Sequence, residues 1–377
     1  MLLAISYIWY RAILLFIAEF KRKKVYPDFK NKVSIIVCTY NEEINLLYAL
    51  LESLKSAIKS IDAEIIIGDD GSNYDVNEAL LKKYKNNLDP RIKVLTFPHR
   101  GKRPTQVDCI RKSTGEVFIS IDSDVLMEKN AIYELIKPFH DKKVGAVTGQ
   151  IKLLNEVENW ITKATTTMYW NAFNVARRSL SVFGIVNICS GALSAYRRDA
   201  FDKIGEAYLH QTFLGRRCVH GEDRALTNMV LKQGYDVVYE ERAVCYTVSP
   251  SKLKPFIKQQ YRWRQSTLRE SFLVLKFAYK RNKLLFVETV LSLALPFMGL
   301  WVLILLIIIL ILAPSFILVV LKGLLIVTVI HNIFLIMEEG IYKIKDAFVY
   351  TLLTYFLLIW LWPIALINLR KEKWGTR

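Results

Sequence analysis

Residues 117–125 read VFISIDSDV. The run is short, apolar and rich in β-branched and aromatic side chains, the pattern of a buried strand. It closes on two acids one residue apart, Asp122 and Asp124. Side chains alternate along an extended chain, so both carboxylates point the same way. Carboxylates aimed together at the end of a buried strand repel unless a cation lies between them. Oxygen ligands of this kind suit Mg2+ or Mn2+ held against a diphosphate. A plain strand end whose acids cap the next helix fits the same letters, so the surrounding chain has to decide.

Upstream, segments 33–39 (VSIIVCT), 63–68 and 93–97 have strand character, and 42–58, 77–84 and 105–113 have helical character, in strict alternation. Together with 117–122 this βαβαβαβ order predicts an α/β class domain with a doubly wound, mostly parallel sheet. Such sheets bind ligands outside the carboxyl ends of their strands. Several polar residues fall there: Thr39, Tyr40 and Glu42, then Asp69 and Asp70, then Lys102 and Arg103, then the two acids.

The chain has 377 residues, 53% of them hydrophobic, and a formal net charge of +17. The apolar residues concentrate after position 284, where 300–312 reads LWVLILLIIILIL without a charge. That is membrane composition rather than a soluble core. The basic excess suits anionic lipid or a phosphorylated substrate, and no nucleic-acid-binding motif is present, so no nucleic acid partner is expected. The five cysteines have no C-x-x-C pair, which fits reduced, cytosol-facing thiols and no zinc site.

Residues 1–20 are mostly apolar, but Arg11 interrupts them, and no small-residue cleavage site follows. An Arg at a helix centre costs roughly 2.5–3.5 kcal/mol on insertion scales, so a spanning and an interfacial helix both fit. The cluster Lys21, Arg22, Lys23 and Lys24 assigns this end to the cytoplasm. A cytosolic domain is expected over 21–265, then a basic amphipathic interfacial segment over 266–283. A membrane region over 284–369 would hold two spanning helices and a third segment, 347–369, broken by Pro363. If that third run crossed, Arg370, Lys371, Lys373 and Arg377 would lie outside, so a kinked re-entrant or interfacial segment with a cytosolic tail over 370–377 is expected.

Other constellations are weak singly. Asp69-Asp70-Gly71-Ser72 fits a ligand-accepting strand end or a plain turn. Lys102 and Arg103 sit at an anion-friendly helix start, or form a solvated basic loop. Gly221-Glu222-Asp223 places acids before a helical stretch, as a cap or as a general base. Gln259-x-x-Arg262-Trp263 offers a guanidinium for phosphate and an indole for a sugar face, or a membrane-interface pair.

The order of these parts is specific. It resembles the inverting glycosyltransferases of family 2, in their processive, membrane-embedded branch of hyaluronan, chitin and cellulose synthases. The hyaluronan-synthase type is nearest, through residues 149–155 (GQIKLLN), 169–174 (YWNAFN), 184–191 (GIVNICSG), 221–228 (GEDRALTN) and the closing Trp374-Gly375-Thr376-Arg377. The resemblance implies a GT-A type fold and roles for matching positions. Thr39, Tyr40 and Glu42, with Asp69 or Asp70, would line a uridine site. Lys102 and Arg103 would lie near the diphosphate, and Asp122 and Asp124 would hold Mn2+ or Mg2+ against it. Cys189, Ser190, Gly191 and Glu222 would adjoin the acceptor sugar, and Asp223 would be the general base. Gln259 and Trp263 would cap the acceptor, Arg262 would hold the diphosphate, and Trp374 and Arg377 would close over the nucleotide. The implied partners are a UDP-sugar, a growing glycan and membrane lipid, at the plasma membrane with the catalytic domain cytoplasmic; a homo-oligomer stays open.

The chain departs from that pattern in having room for one apolar segment before the domain where the family has two, in stopping at W-G-T-R, and in reading GED for GDD. A complete single-chain export channel is therefore not expected. Polymer synthesis from UDP-N-acetylglucosamine, with or without UDP-glucuronic acid, is the leading expectation. Transfer of one or a few sugars to a lipid or oligosaccharide is the alternative.

Overall fold

The structure of the chain, a computed structural model, describes residues 2–21 and 26–370. The expectations for Arg22, Lys23, Lys24, Trp374 and Arg377 lie outside the described residues. The chain divides into two compact units, Lys23–Leu154 with Ser181–Val248, and Met1–Arg22 with Asn155–Leu180 and Ser249–Arg377.

The first unit is built on strands β1 (Val33–Thr39), β2 (Ala63–Asp69), β3 (Ile92–Thr96), β4 (Val117–Asp122), β5 (Leu126–Met127), β6 (Val144–Leu153), β7 (Ser194–Arg197) and β10 (Asp236–Thr247). A small ribbon, β8 (Thr212–Phe213) with β9 (Arg216–Arg217), stands apart. The sheet order is β3-β2-β1-β4-β7-β6-β10-β5. Its pairings are mostly parallel, with β7 antiparallel between β4 and β6 and β5 antiparallel at one edge. β1, β2 and β4 are buried on both faces, which is why they read as nearly continuous apolar runs. Register pairs Thr39 with Asp69 and Cys38 with Asp122, so these strand ends share one edge. β2 and β3 run off one side of β1 and β4 lies on the other, so that edge includes a topological switch point.

At the opposite edge Glu64 is buried. It accepts from Ser34 Oγ at 2.8 Å, the Thr114 N–H at 2.6 Å, Thr114 Oγ1 at 2.8 Å and Lys93 Nζ at 3.0 Å. Burial alone would raise this carboxyl, but these donors outweigh it and hold it down at about 2. A depressed folded-state value contributes stability above the unfolded value of 4.5, and that contribution is lost as pH falls from there towards 2. We predict that Glu64→Gln lowers stability by about 1–3 kcal/mol at neutral pH. Its melting temperature should vary less than wild type between pH 4.5 and 2. An unchanged melting temperature at pH 7 would refute this.

The second unit is helical. Among the described residues three segments are long and apolar enough to cross a membrane: Lys283–Leu312, Pro314–His331 and Ile341–Ile367. The third is interrupted. Helix Ile344–Leu352 passes through a wide π-type turn, Leu353–Leu357, and a tight turn, Leu358–Trp360, before resuming as Leu361–Ile367. Pro363 has no N–H for the carbonyl four residues earlier, so the irregularity falls just ahead of it. The basic helix Leu253–Arg281 runs unbroken through position 266. Segment 155–180 also belongs to this unit. Asn159 caps helix Trp160–Trp170, which continues as the π-type turn Asn171–Arg177. Ile161 and Ala164 pack with Phe256, Leu353 and Leu358.

Arg11, the charge that interrupts the first apolar segment, is buried and pairs with buried Glu288 at 2.7 Å. Tyr10 also donates to Glu288. This pairing offsets the insertion penalty of the lone cation. Removing one partner leaves a buried charge, so Glu288→Leu should cost about 3–5 kcal/mol. The double change Arg11→Leu with Glu288→Leu should recover most of that loss in detergent melting curves. A double variant no more stable than the single one would argue against the pair.

Candidate active site

The carboxyl edge of the sheet collects most of the expected residues of the first unit. Asp122 ends β4 and Asp124 lies in the turn that follows; both are half-buried while Ser123 and Val125 are buried, so the two acids share an exposure without both lying on the extended chain expected from the sequence. Burial first, then the Asp122 and Asp124 charges, push the Cys245 thiol upwards, so both acids act on one point of β10.

Lys102 opens helix Lys102–Lys112. Its ammonium donates to Asp122 Oδ1 and stands 3.5 Å from Glu222 Oε1. Burial would lower its affinity for a proton, but Asp122 and Glu222 outweigh burial and raise it well above the ordinary lysine value. Arg103 behaves differently. It is buried, donates to the Tyr208 carbonyl and to Gln211 Oε1, each at 3.0 Å, and lies over the Tyr208 ring. The expected basic pair is therefore split: Lys102 faces the acids, and Arg103 is not brought to them. The helix begins at Lys102, so one residue turns the side chain about 100° away.

Asp223 lies in the first turn of helix Glu222–Lys232, after Gly221 at φ 79°, a conformation that suits glycine. Its Oδ1 accepts the Arg224 N–H at 2.7 Å. Burial first, then the Glu222 charge, push it up to about 6, against the opposing pull of Arg224 and Lys102. The Thr227 hydroxyl donates to the Asp223 carbonyl at 2.7 Å and accepts the Cys189 N–H at 2.9 Å. That bridge ties the Cys189-Ser190-Gly191 loop to the base. Ser190 N–H reaches Thr148 Oγ1 at 3.2 Å. A Cβ added at Gly191 would stand 3.4 Å from each Asp122 oxygen, so glycine keeps that face clear. Lys102, Gly191, Glu222 and Asp223 line one small polar cavity.

The other end of the site separates the two candidate acids. Asp70 is saturated: it accepts from the Arg100 and Gly101 N–H groups, from Thr105 Oγ1 and from His99 Nδ1, all within 3.0 Å. Asp69 takes the Ser72 N–H at 3.0 Å on Oδ1, and among the described residues its other oxygen accepts no hydrogen bond. The neighbouring Thr39 hydroxyl is buried and has no hydrogen-bond partner among the described residues. Asp70 is thus a loop organiser, and Thr39 with Asp69 keeps ligand-binding capacity. Glu42 accepts from Ser123 Oγ at 3.0 Å, which links this end to the acids. Tyr40 is stacked on His99, ring centres 4.0 Å apart. His99 was not expected. A lone histidine in a loop makes no pattern, and only its place after β3, level with the other strand ends, could have pointed to it.

Asp122 and Asp124 are hard oxygen donors, and no side chain from Gly191 stands against Asp122, a donor set that fits Mg2+ or Mn2+. Among the described residues no group of three or more acid, histidine or cysteine side chains surrounds a metal. Further ligands would have to come from substrate oxygens or water. Gln259, Arg262 and Trp263 belong to the helical unit, on helix Leu253–Arg281, with Trp263 near Tyr169 at 6.3 Å between ring centres.

Residues 34–205 match the model of glycosyl transferase family 2. The chain is 38% identical over 263 residues to a hyaluronan synthase of Streptococcus pyogenes, covering 67% of this chain and 62% of that protein. It is 36% identical over 245 residues to an N-acetylglucosaminyltransferase of Rhizobium meliloti (strain 1021), covering 64% of this chain and 57% of that one. The chain thus spans about three-fifths of the length of these curated relatives. Among solved structures, the mannosyltransferase PcManGT from Pyrobaculum calidifontis, in complex with GDP-Man and Mn2+, aligns with a TM-score of 0.60 at 18% identity, over 93% of this chain and 97% of that one. That likeness gives the GT-A fold.

Proposed function

The chain carries a glycosyl transferase family 2 domain, and from that premise we propose that it is a membrane-embedded, inverting, UDP-sugar-dependent glycosyltransferase of the hyaluronan-synthase type. The observation that carries this is Asp223, a carboxyl pushed up to about 6, set beside the Lys102–Asp122 pair at the carboxyl edge of the sheet. A base tuned towards neutrality and an anion-binding cluster next to it are what transfer from a sugar diphosphate requires.

In this reading Thr39, Tyr40, Glu42 and Asp69 bind the uridine, and Lys102 and Arg262 bind the diphosphate. Asp122 and Asp124 would hold Mn2+ or Mg2+, which when bound adds positive charge against the leaving diphosphate. Asp223 takes the proton of an acceptor hydroxyl, whose oxygen attacks the anomeric carbon on the face opposite UDP. Arg262 meets the charge developing on the diphosphate. Attack from that face turns an α-linked donor into a β-glycosidic bond. Cys189, Ser190, Gly191 and Glu222, with Gln259 and Trp263, position the acceptor. The protein then sits in the cell membrane with its catalytic domain cytoplasmic and in contact with lipid, a reading supported by three segments, among the described residues, long and apolar enough to cross a membrane.

Membranes incubated with labelled UDP-N-acetylglucosamine, alone and with UDP-glucuronic acid, should yield long β-linked products. Label confined to single-sugar products on lipid would instead support the second reading, a non-processive transferase. Similarity to the rhizobial N-acetylglucosaminyltransferase supports N-acetylglucosamine as a sugar in either reading.

A further inference from the structure

Lys102 already stands where a cation binds Asp122. Its ammonium donates to Asp122 Oδ1 and approaches Glu222 Oε1 at 3.5 Å. It is only 19% exposed, against 35% for Asp122. Gly191 puts no side chain between them: a Cβ there would be 3.4 Å from each Asp122 oxygen and 3.6 Å from Lys102 Nζ. An ammonium has three donors and no acceptor, so the partner that best replaces this carboxylate for Lys102 is another anion. A divalent ion arriving alone must displace it, or share one carboxylate with it at close range, and like charges that near repel. A nucleoside diphosphate removes both obstacles. Its oxygens accept from the freed ammonium and complete the ion's coordination.

We propose that Lys102 is a resident cation that keeps Asp122 closed to a divalent ion until a nucleoside diphosphate arrives, so that ion and nucleotide are taken up together. The proposal rests on the metal role given above to Asp122 and Asp124. It makes Lys102 a positioning residue with opposite effects on two ligands of one site. Binding of each ligand then strengthens the other by the same factor.

The test is Mn2+ titration of the full chain in lipid nanodiscs, followed by the Mn2+ paramagnetic resonance signal with and without UDP. Wild type, Lys102→Met and Lys102→Arg are compared. Wild type should bind Mn2+ at least about tenfold more tightly with UDP than without, a coupling of about 1.4 kcal/mol. Lys102→Met should bind Mn2+ alone at least about tenfold more tightly than wild type, bind UDP more weakly, and lose most of the coupling. Lys102→Arg, which keeps the charge, should retain it. Lys102→Gln replaces the Met variant if that one does not fold. Mn2+ affinity without UDP that is unchanged or weaker in a folded, UDP-binding neutral variant overturns the proposal and leaves the metal reading intact. Wild type that takes up no Mn2+ even with UDP overturns the metal reading, and the proposal with it.

Discussion

Asparagine in place of Asp223 is expected to lower turnover by about 10²–10⁴-fold. UDP affinity should stay close to wild type. Asp223 is isosteric with Asn, and its backbone is held independently of its carboxylate, through Gly221 and the Thr227 bridge to Cys189. The fold around it should therefore survive. The substitution removes only the group able to accept a proton. Because burial and Glu222 push that carboxyl up to about 6, its base form is lost within an accessible pH range. Wild-type turnover should fall as pH drops through about 6, since the required form is the ionised one. The residual activity of the Asn variant should lack that limb. UDP release measured between pH 5 and 8, beside calorimetric UDP binding, tests both halves. Turnover within tenfold of wild type would remove Asp223 from the role of base.

The second large effect is expected at Asp124. Asp124→Ala should abolish metal-dependent UDP binding, beyond the roughly 10–100-fold that loss of an outer-shell partner costs a metal site. Asp122 would remain, but held by Lys102 it is a poor sole ligand. Any metal-independent component of UDP binding through Thr39, Tyr40 and Asp69 should persist. Equilibrium binding of UDP with Mn2+ and with EDTA separates the two. A variant that keeps metal-dependent binding but loses turnover would reverse the roles assigned to Asp124 and Asp223.

The sheet was legible in the sequence wherever burial on both faces imposed apolar runs. Strands Val33–Thr39 and Val117–Asp122 fall where VSIIVCT and VFISID place them. The like exposure of Asp122 and Asp124 agrees with the alternation argued from the letters, but Asp124 stands in the turn after the strand, not on the extended chain which that argument assumed. Direction within a helix was not. Lys102 and Arg103 are equivalent as letters, yet only one faces the acids, and that depended on where the first turn began. The division between Asp69 and Asp70 was also hidden. It is decided by donors from residues 99–105, about thirty positions away, which local turn chemistry does not reveal. The Arg11–Glu288 pair, 277 residues apart, explains a charge that read only as a defect in an apolar segment.

The excursion of segment 155–180 out of the sheet unit has a consequence for the order in which the molecule can be completed. β6 and β7 are hydrogen-bonded neighbours, but the chain between them belongs to the helical unit. During synthesis Ile161 and Ala164 emerge well before Leu353 and Leu358, the side chains that cover them. With Phe256 as its only earlier buried partner in that cluster, the segment must wait for full cover until nearly the whole polypeptide has been made. A fragment cut after β10 would therefore display an orphaned helix in the middle of its catalytic sheet. Its solubility, rather than its chemistry, should fail first.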